Sequence, residues 1–264
     1  MNQNRPHNDP RSSPRKPGEI NSLSACGEGW GGVGTRDEIS SAQCPGIRPS
    51  SFVLRPYPVA LNLEGARCVI VGGGSVALRK ARGLLAAGAL VTVIAPDASD
   101  EMKNLAVSDG RMEWFSRSFE PDDVRGARLV FACSDSAEVN AQVAAAGREA
   151  GALVNRADDP LDCDFMGMSV VTRGSLTIAV STGSDSPAFA RWMRGELERQ
   201  FGPEYGEFLT MLASLRSEVL EQIPAEDRSR MWDAALRSDA FALWQAGKRD
   251  EAVQTLRTIL LGPG

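Results

Sequence analysis

Hydrophobic residues beyond about position 60 form short β-branched runs that alternate with longer stretches of helical spacing. Five runs indicate strands, at 67–71, 90–94, 112–115, 129–132 and 152–155. Three stretches indicate helices, at 76–87, 100–107 and 137–150, and Gly88 is predicted to close the first of them as a left-handed cap. Strands that alternate with helices need crossover connections, and these favour a parallel sheet with both faces covered. The pattern therefore predicts an α/β fold with a doubly wound parallel sheet over residues 53–160.

The alternation of predicted strands and helices ends after residue 164. Strand-like runs at 165–172 and 176–180 are joined by Arg173-Gly174-Ser175, which favours a hairpin. Ser186-Pro187 then opens a helix that runs to about residue 201, with Ser as N-cap and Pro at the first helical position. Apolar residues at helical spacing follow to residue 261 and predict three or four helices. The pattern divides this part of the chain into a small α+β region and a helical C-terminal domain, 161–203 and 204–264.

Residues 1–52 have a different composition. They are rich in Pro, Ser, Gly, Asn and Arg and show no apolar period, so they cannot offset the entropy of ordering a chain. We expect a disordered N-terminal arm, with a short docking element around Cys26 and Trp30 as the alternative. No apolar run follows the basic residues of this arm, so a signal peptide is not expected.

Composition and charge exclude several classes of function. The chain has 29 Lys and Arg against 34 Asp and Glu, which gives a net charge of -5. A nucleic-acid-binding protein is usually basic, so the overall charge does not indicate that function. No run of about 18 apolar residues predicts a membrane span. The 5 cysteines form no Cys-x-x-Cys pair, which fits a reduced cytoplasmic protein. The only histidine is His7, so any acid–base chemistry falls to a carboxylate, Lys, Tyr, Cys or the substrate itself.

A strand that runs into a glycine-rich turn and then a helix gives the strongest local signal. Residues 69–77 carry the G-x-G-x-x-A form of the dinucleotide fingerprint in that context. Gly72 permits the tight turn, Gly74 lets the backbone approach a pyrophosphate, and Ala77 leaves room for helix packing. The fingerprint predicts a Rossmann-like domain that binds NAD, through Gly72, Gly73, Gly74, Ser75, Val76 and Ala77. A βα turn without a ligand is the alternative.

Three further segments carry candidate chemistry. Asp97, after the second strand, is a candidate for the ribose-binding acid expected about 20 residues beyond the glycines, and it favours NAD over NADP; a solvated loop Asp is the alternative. Residues 155–160 follow the fifth strand, where open α/β sheets place ligands, and a carboxylate there can exchange a proton. From the residues alone, a turn acid before Pro160 is the favoured interpretation. Residues 181–187 are small and polar before a helix start, which suits an anion; capping alone accounts for Ser186 and Pro187.

In order, these segments resemble the precorrin-2 dehydrogenase family, which also forms the N-terminal half of siroheme synthases. The resemblance covers about residues 55 to 220. It rests on seven stretches, Tyr57-Pro58-Val59 with Leu61, Val71 to Ala77 with Arg79-Lys80, Ala132 to Asp135 with Val139-Asn140, Asn155 with Asp158 and Pro160, Phe165, Ile178 to Gly183, and Ser186-Pro187 with Ala190-Arg191.

The resemblance implies an NAD-dependent oxidation of precorrin-2 to sirohydrochlorin on the path to siroheme. Asp158 matches the aspartate that the family uses in catalysis, and Ser134 and Asp135 join the cofactor-binding set. The implied tetrapyrrole-binding residues are Asn155, Ser181, Thr182, Gly183, Ser186 and Arg191. An intertwined homodimer is also implied, with the hairpin and helix after Asp164 at its interface.

Two alternatives remain at this stage. A bifunctional enzyme would also insert Fe²⁺ into sirohydrochlorin, because acids and a cysteine crowd together after the fifth strand; a solvated acidic loop is the plainer interpretation. No resident metal ion is predicted. A regulatory module that senses NAD without turnover would use the helices of 222–261 to dock a partner.

Overall fold

A five-stranded parallel sheet forms the first half of the computed structural model, which describes residues 56–262. The predicted arm, 1–52, lies outside the described residues. Strand order is β3-β2-β1-β4-β5, with bounds β1 Arg67–Val71, β2 Leu90–Ile94, β3 Met112–Phe115, β4 Leu129–Ala132 and β5 Leu153–Arg156. The intervening helices are α1 Ser75–Ala86, α2 Asp100–Ser108 and α3 Ala137–Glu149. The predicted α/β class and the Rossmann-like doubly wound sheet are confirmed.

Both faces of the sheet are buried, as a central parallel strand requires. Cys68 and Ile70 of β1 pack on the face covered by α1, whereas Val69 and Val71 pack on the face covered by α3. The chain turns after α1 at Gly88, which takes the left-handed conformation (φ 80°) that the sequence predicts for a helix cap. The sheet therefore brings the carboxyl ends of β1, β2, β4 and β5 to one edge.

A two-stranded antiparallel hairpin and five helices make up the second half. The strands are β6 Ser169–Arg173 and β7 Leu176–Val180. The helices are α4 Pro187–Gln200, α5 Pro203–Gln222, α6 Ala225–Leu236, α7 Ala240–Gln245 and α8 Arg249–Leu261. Ser186 caps α4 as predicted, because its hydroxyl accepts a hydrogen bond from the Phe189 amide at 3.2 Å. None of the helices in residues 56–262 is long and apolar enough to cross a membrane.

The first hairpin strand begins four residues later than its hydrophobic run predicts. The ring of Phe165 packs edge-on against Phe131 of β4, with centroids 5.2 Å apart. Its carbonyl accepts a hydrogen bond from Asn155 of β5 at 2.9 Å. Because the sheet engages Phe165 in these two ways, the segment before Ser169 forms a loop against the sheet edge.

The hairpin turn and the start of α5 approach each other closely enough to exclude side chains. A Cβ atom on Gly206 of α5 would lie 2.6 Å from the Arg173 carbonyl, and Gly174 has φ 57°. The Arg173 guanidinium donates hydrogen bonds to the carbonyls of Phe201 at 2.8 Å and Glu198 at 3.1 Å. The C-terminal helices, with their own core of residues such as Phe208 and Leu256, thus pack directly on the hairpin.

Candidate functional site

The glycine-rich turn between β1 and α1 is shaped by two close backbone approaches. A Cβ atom on Gly72 (φ 129°) would lie 2.3 Å from the Cys133 carbonyl oxygen, and one on Gly73 would lie 2.1 Å from the Asp97 carbonyl oxygen. At Gly74, by contrast, a Cβ atom meets nothing within 4 Å. The first two glycines let three loops close together, while the third leaves open space beside the helix start.

The start of α1 has the character of an anion site. Gly74 is its N-cap residue and no side chain caps the helix. Uncapped N–H groups and the positive end of the helix dipole favour a phosphate. The predicted residues Ser75 and Val76 lie in this first turn, and Ala77 is fully buried where α1 meets the sheet.

A cleft of about 320 Å³ opens over this turn at the carboxyl edge of the sheet. The predicted cofactor residues that line it are Gly72, Gly73, Gly74, Asp97, Ser134 and Asp135. Asp97 follows β2, and its Oδ1 atom accepts hydrogen bonds from the Ala98 amide at 2.8 Å and from Lys103 Nζ at 2.9 Å. The hydrogen bond from Lys103 lowers the pKa of this exposed carboxyl group, so Asp97 is ionised at neutral pH. An uncapped helix start, a bare Gly74 and an acid after β2 together fit a dinucleotide.

Asn140 holds the far wall of the cleft in place. It is fully buried, and its Oδ1 atom accepts hydrogen bonds from the Ser134 amide at 3.0 Å and the Ser134 hydroxyl at 2.8 Å. Its Nδ2 atom donates to the Ser134 carbonyl at 3.0 Å. A buried amide with its partners satisfied fixes a loop rigidly. Sequence reasoning did not assign Asn140 a role in the site, although a polar residue on the buried face of α3 was a usable signal.

Asp158 sits at the end of a chain of alternating charges after β5. Arg156 donates to Asp158 at 2.7 and 3.3 Å and to Asp162 at 2.9 Å. Arg148 in turn pairs with Asp162 at 2.8 Å and with Asp164 at 3.3 Å. The hydrogen bonds from Arg156 are the main cause that lowers the pKa of Asp158, so its carboxylate stays ionised well into the acid range. We call these five residues the ion ladder.

Replacing Arg156 by Gln should change the pH dependence of any reaction that needs ionised Asp158. The pKa of Asp158, which Arg156 lowers, should rise towards its ordinary value, so the acid limb of kcat/KM should move to higher pH. The stability that this depressed pKa contributes is present above the unfolded-state pKa and is lost as pH falls through the folded-state value. The measurement is kcat/KM between about pH 2.5 and pH 6, a window that spans the ordinary Asp pKa of about 3.9 and the region below it.

Arg148→Gln is the matched control, because Arg148 belongs to the ion ladder but does not contact Asp158. Its acid limb should coincide with that of the parent protein. An unmoved acid limb in Arg156→Gln would show that the ladder does not tune Asp158.

Asn155 is placed differently from the other residues predicted to bind substrate. It is buried at 7% exposure, and its amide donates to the Phe165 carbonyl and lies 3.5 Å from the Cys163 sulfur. Cys163 also accepts from the Arg156 amide at 3.2 Å. Asn155 therefore anchors the loop behind Asp158 and lines neither the cleft nor the cavity described next.

The carboxylates that the sequence suggested for iron are engaged by arginines. Asp158, Asp162 and Asp164 all belong to the ion ladder, and Asp159 accepts a hydrogen bond from the Leu161 amide at 3.1 Å. In the part of the chain that the structure describes, no group of three or more His, Cys, Asp or Glu side chains is arranged to hold a metal ion.

A second cavity, of about 630 Å³, lies between the hairpin and α4, and we call it the arginine cavity. The predicted residues Ser181, Thr182 and Arg191 line it. Two arginines that the sequence analysis did not assign, Arg79 of α1 and Arg194 of α4, also line it. Arg191 and Arg194 are three residues apart and so share a helix face, which was a readable signal; the approach of Arg79 depends on the tertiary fold.

The loop before α4 satisfies its own polar groups. Ser186 caps the helix, and the Thr182 hydroxyl accepts from the Ser186 amide at 3.2 Å. Gly183 and Ser184 take left-handed conformations (φ 59° and 73°), which fold the loop back on itself. Gly183 and Ser186 do not themselves line the arginine cavity. Positive charge in this cavity therefore comes mainly from its three guanidinium groups, and less from free backbone amides.

Helix α1 borders both spaces, because its N-cap residue Gly74 lines the cleft and its Arg79 lines the arginine cavity. Burial is the largest cause that raises the pKa of the Cys133 thiol to about 11, and the charges of Lys80, Arg79 and Asp158 also act on it. Cys133 itself lines the cleft, and Arg79 lines the arginine cavity. Asp158, whose side chain is 30% exposed, lines neither space, and its charge acts on Cys133 in the wall of the cleft.

The glycine turn, the cleft at the sheet edge and the acid after β2 define a Rossmann-type NAD(P)-binding protein. A family model described as NAD(P)-binding matches residues 59–168. Models described as sirohaem biosynthesis protein central and as sirohaem synthase dimerisation region match residues 173–200 and 204–260. Along the chain, the matches thus describe an NAD(P)-binding region followed by regions similar to the central and dimerisation parts of sirohaem synthase.

Relatives and a solved structure agree with this assignment. The chain is 37% identical over 198 residues to the siroheme synthase of Nitrosomonas europaea and 39% identical over 201 residues to that of Methylococcus capsulatus. Each match covers 75% of this chain and 42% of the relative, so the chain spans less than half the length of these proteins. The solved structure of SirC, precorrin-2 dehydrogenase, shares the fold, with a TM-score of 0.64, 24% identity, and coverage of 77% of this chain and 100% of that one.

Proposed function

We propose that this chain is a cytoplasmic, NAD-dependent dehydrogenase that oxidises precorrin-2 to sirohydrochlorin in siroheme biosynthesis. The observation that carries the proposal is that helix α1 borders both a dinucleotide cleft, at Gly74, and an arginine-lined cavity, at Arg79. The names of the relatives, siroheme synthase and precorrin-2 dehydrogenase, supply the substrate class. Three free cysteines, Cys68, Cys133 and Cys163, support a reducing compartment.

Cofactor binding falls to the glycine turn and its surroundings. The start of α1 at Gly74 would hold the pyrophosphate. Asp97 would bind the ribose and disfavour a 2′-phosphate, so the protein would prefer NAD to NADP. Ser134 and Asp135 would form the opposite wall, which Asn140 keeps rigid. NAD, when bound, supplies a hydride acceptor.

Substrate binding falls to the arginine cavity. Precorrin-2 is a polycarboxylate, and guanidinium groups bind carboxylates with paired hydrogen bonds. Neither Arg79 nor Arg191 forms an ion pair with a residue in 56–262, whereas Arg194 pairs with Glu198 at 3.1 Å. Ser181 and Thr182 add hydroxyl groups to the same wall.

Asp158 supplies the proton acceptor. Oxidation of the tetrapyrrole removes a hydride and a proton, and an ionised carboxylate close enough to act electrostatically on Cys133 in the cleft wall can take the proton. Its lowered pKa keeps it in the basic form at neutral pH. Arg156 fixes its orientation through two hydrogen bonds.

Removing a guanidinium from the arginine cavity should weaken tetrapyrrole binding without changing NAD binding. Arg79→Met and Arg191→Met should each raise KM for precorrin-2 by about fivefold, because an exposed ion pair contributes about 1 kcal/mol. Arg237→Met, on an exposed arginine of the C-terminal helices, is the control. Equal KM values in all three variants and the parent would contradict the assignment of the cavity.

The proposed function is tested by mixing the purified protein anaerobically with precorrin-2 and NAD while recording NADH absorbance and the sirohydrochlorin spectrum together. We expect both signals to rise in equal molar amounts. NAD binding without turnover would instead favour the alternative of a regulatory module that senses NAD.

A homodimer is part of the proposal. Two observations support it. The family model matched at 204–260 is described as a dimerisation region, and no other strand within 56–262 pairs with the β6–β7 hairpin of the predicted interface region, 161–203. Light scattering should give a mass of about twice 28.3 kDa. A monomer at micromolar concentration would overturn it.

A further inference from the structure

Lys80 of α1 lies between the two spaces of the site, and no step described above uses it. Its Nζ atom lies 5.1 Å from the centroid of the Phe131 ring. A Cβ atom on Gly167 would lie 3.2 Å from the same nitrogen. Gly167 lines the arginine cavity. On the other side, the ammonium acts electrostatically on Cys133, which lines the cleft.

The ammonium group of Lys80 is partly buried without an anion to balance it. Burial is the main cause that lowers its pKa, and neighbouring Arg79 lowers it further. The thiols of Cys133 and Cys163 raise the pKa of Lys80 instead. No carboxylate of residues 56–262 is among the causes that shift this pKa. A half-buried cation with no acidic partner is costly unless a ligand provides one.

Packing alone gives Lys80 little reason to be charged. Its contact with the face of Phe131 is a cation–π interaction, worth about 0.5–1 kcal/mol at an exposed site. An apolar side chain of similar length would fill the same space against Phe131 without the cost of desolvating a charge. The bare Cα of Gly167, meanwhile, leaves the Nζ atom room on the side of the arginine cavity.

We infer that Lys80 is a binding residue for a carboxylate of the tetrapyrrole, at the wall of the arginine cavity beside Gly167. This inference rests on the proposed function and adds a residue that fixes the macrocycle relative to the cofactor. The shared chemistry is an anionic oxygen group, and a phosphate of the dinucleotide is its second source. The carboxylate is favoured because Gly167, which faces Nζ, belongs to the cavity wall and not to the cleft.

The experiment measures equilibrium binding instead of turnover. The parent protein, Lys80→Met and Lys80→Arg are titrated separately with NAD and with uroporphyrin III, a stable octacarboxylate tetrapyrrole. Lys248→Met is the matched control, because Lys248 pairs with Glu251 at 3.1 Å on the C-terminal helices. Methionine keeps the length and the apolar contacts of Lys80, so the melting temperature should remain close to that of the parent.

For Lys80→Met we expect uroporphyrin affinity to fall about tenfold, since a hydrogen bond to a charged group is lost, with NAD affinity unchanged and partial recovery in Lys80→Arg. A fall in NAD affinity with uroporphyrin affinity unchanged would support the anion site with the phosphate as its source. Unchanged affinity for both ligands would overturn the inference while leaving the proposed function intact. If the parent protein bound NAD but not uroporphyrin, both the carboxylate assignment and the proposed function would be refuted. The NAD affinities of the parent and Lys80→Met would then show whether Lys80 binds a phosphate of the dinucleotide.

Discussion

Asp158→Asn should reduce kcat for precorrin-2 oxidation by about 10²- to 10⁴-fold, the usual contribution of a positioned proton acceptor. The amide keeps the shape of the side chain and one acceptor for Arg156, so the loop should hold its conformation. The affinity for NAD should remain near the parent value, because Asp158 does not line the cleft. Steady-state kinetics and an NAD titration check the two halves of this expectation.

Asp162→Asn is the control for this variant. Asp162 accepts from the same guanidinium at 2.9 Å and belongs to the same ion ladder, yet has no assigned part in proton transfer. Its kcat should fall by much less. Equal losses in the two variants would show that the ladder as a whole, and not the Asp158 carboxylate, is what the reaction needs.

Gly74→Leu should weaken NAD binding by about 30- to 150-fold, which corresponds to about 2–3 kcal/mol of steric cost. A side chain there meets no protein atom within 4 Å of its Cβ, and the backbone is extended (φ -83°, ψ -172°), so the fold should be preserved. The new side chain would project into the space beside the uncapped start of α1. Isothermal titration with NAD measures the loss.

Gly83→Leu provides a matched control for the Gly74 variant. Gly83 lies in the same helix, is exposed, and likewise has nothing within 4 Å of its Cβ position. Leucine at this site favours the helix and should leave NAD affinity unchanged. If Gly74→Leu bound NAD as tightly as Gly83→Leu, the fingerprint would not be the pyrophosphate site.

Local signals in the sequence predicted most of the sheet. The β4 run at 129–132 and the cap at Gly88 were predicted residue for residue, because a buried parallel strand and a left-handed glycine leave marks within a few positions. The start of β6 was wrong by four residues, since the contacts of Phe165 with Phe131 and Asn155 join segments far apart in the chain. Hydrophobicity alone does not distinguish a strand from a loop that covers a sheet edge.

The candidate site likewise has parts that neighbouring residues determine and parts that depend on contacts between distant segments. The glycine turn follows from contiguous residues, so its cleft could be predicted. The ladder partner Arg156, the approach of Arg79 to the arginine cavity and the position of Lys80 depend on which segments meet at the sheet edge. Each is an ordinary polar residue in sequence, and its chemistry appears only when distant charges converge, as they do around Cys133.

The close approach of Gly206 to Arg173 has a consequence for how the molecule opens. Backbone packed on backbone leaves no side chain to adjust, so the hairpin turn and the start of α5 separate together or not at all. Arg173 strengthens this link through two carbonyls at the end of α4 and just beyond it. Amide protons of β6 and β7 should therefore exchange with solvent at the rate set by the C-terminal helices, as one cooperative unit distinct from the parallel sheet. One wall of the arginine cavity thus takes its stability from helices that lie outside the cavity.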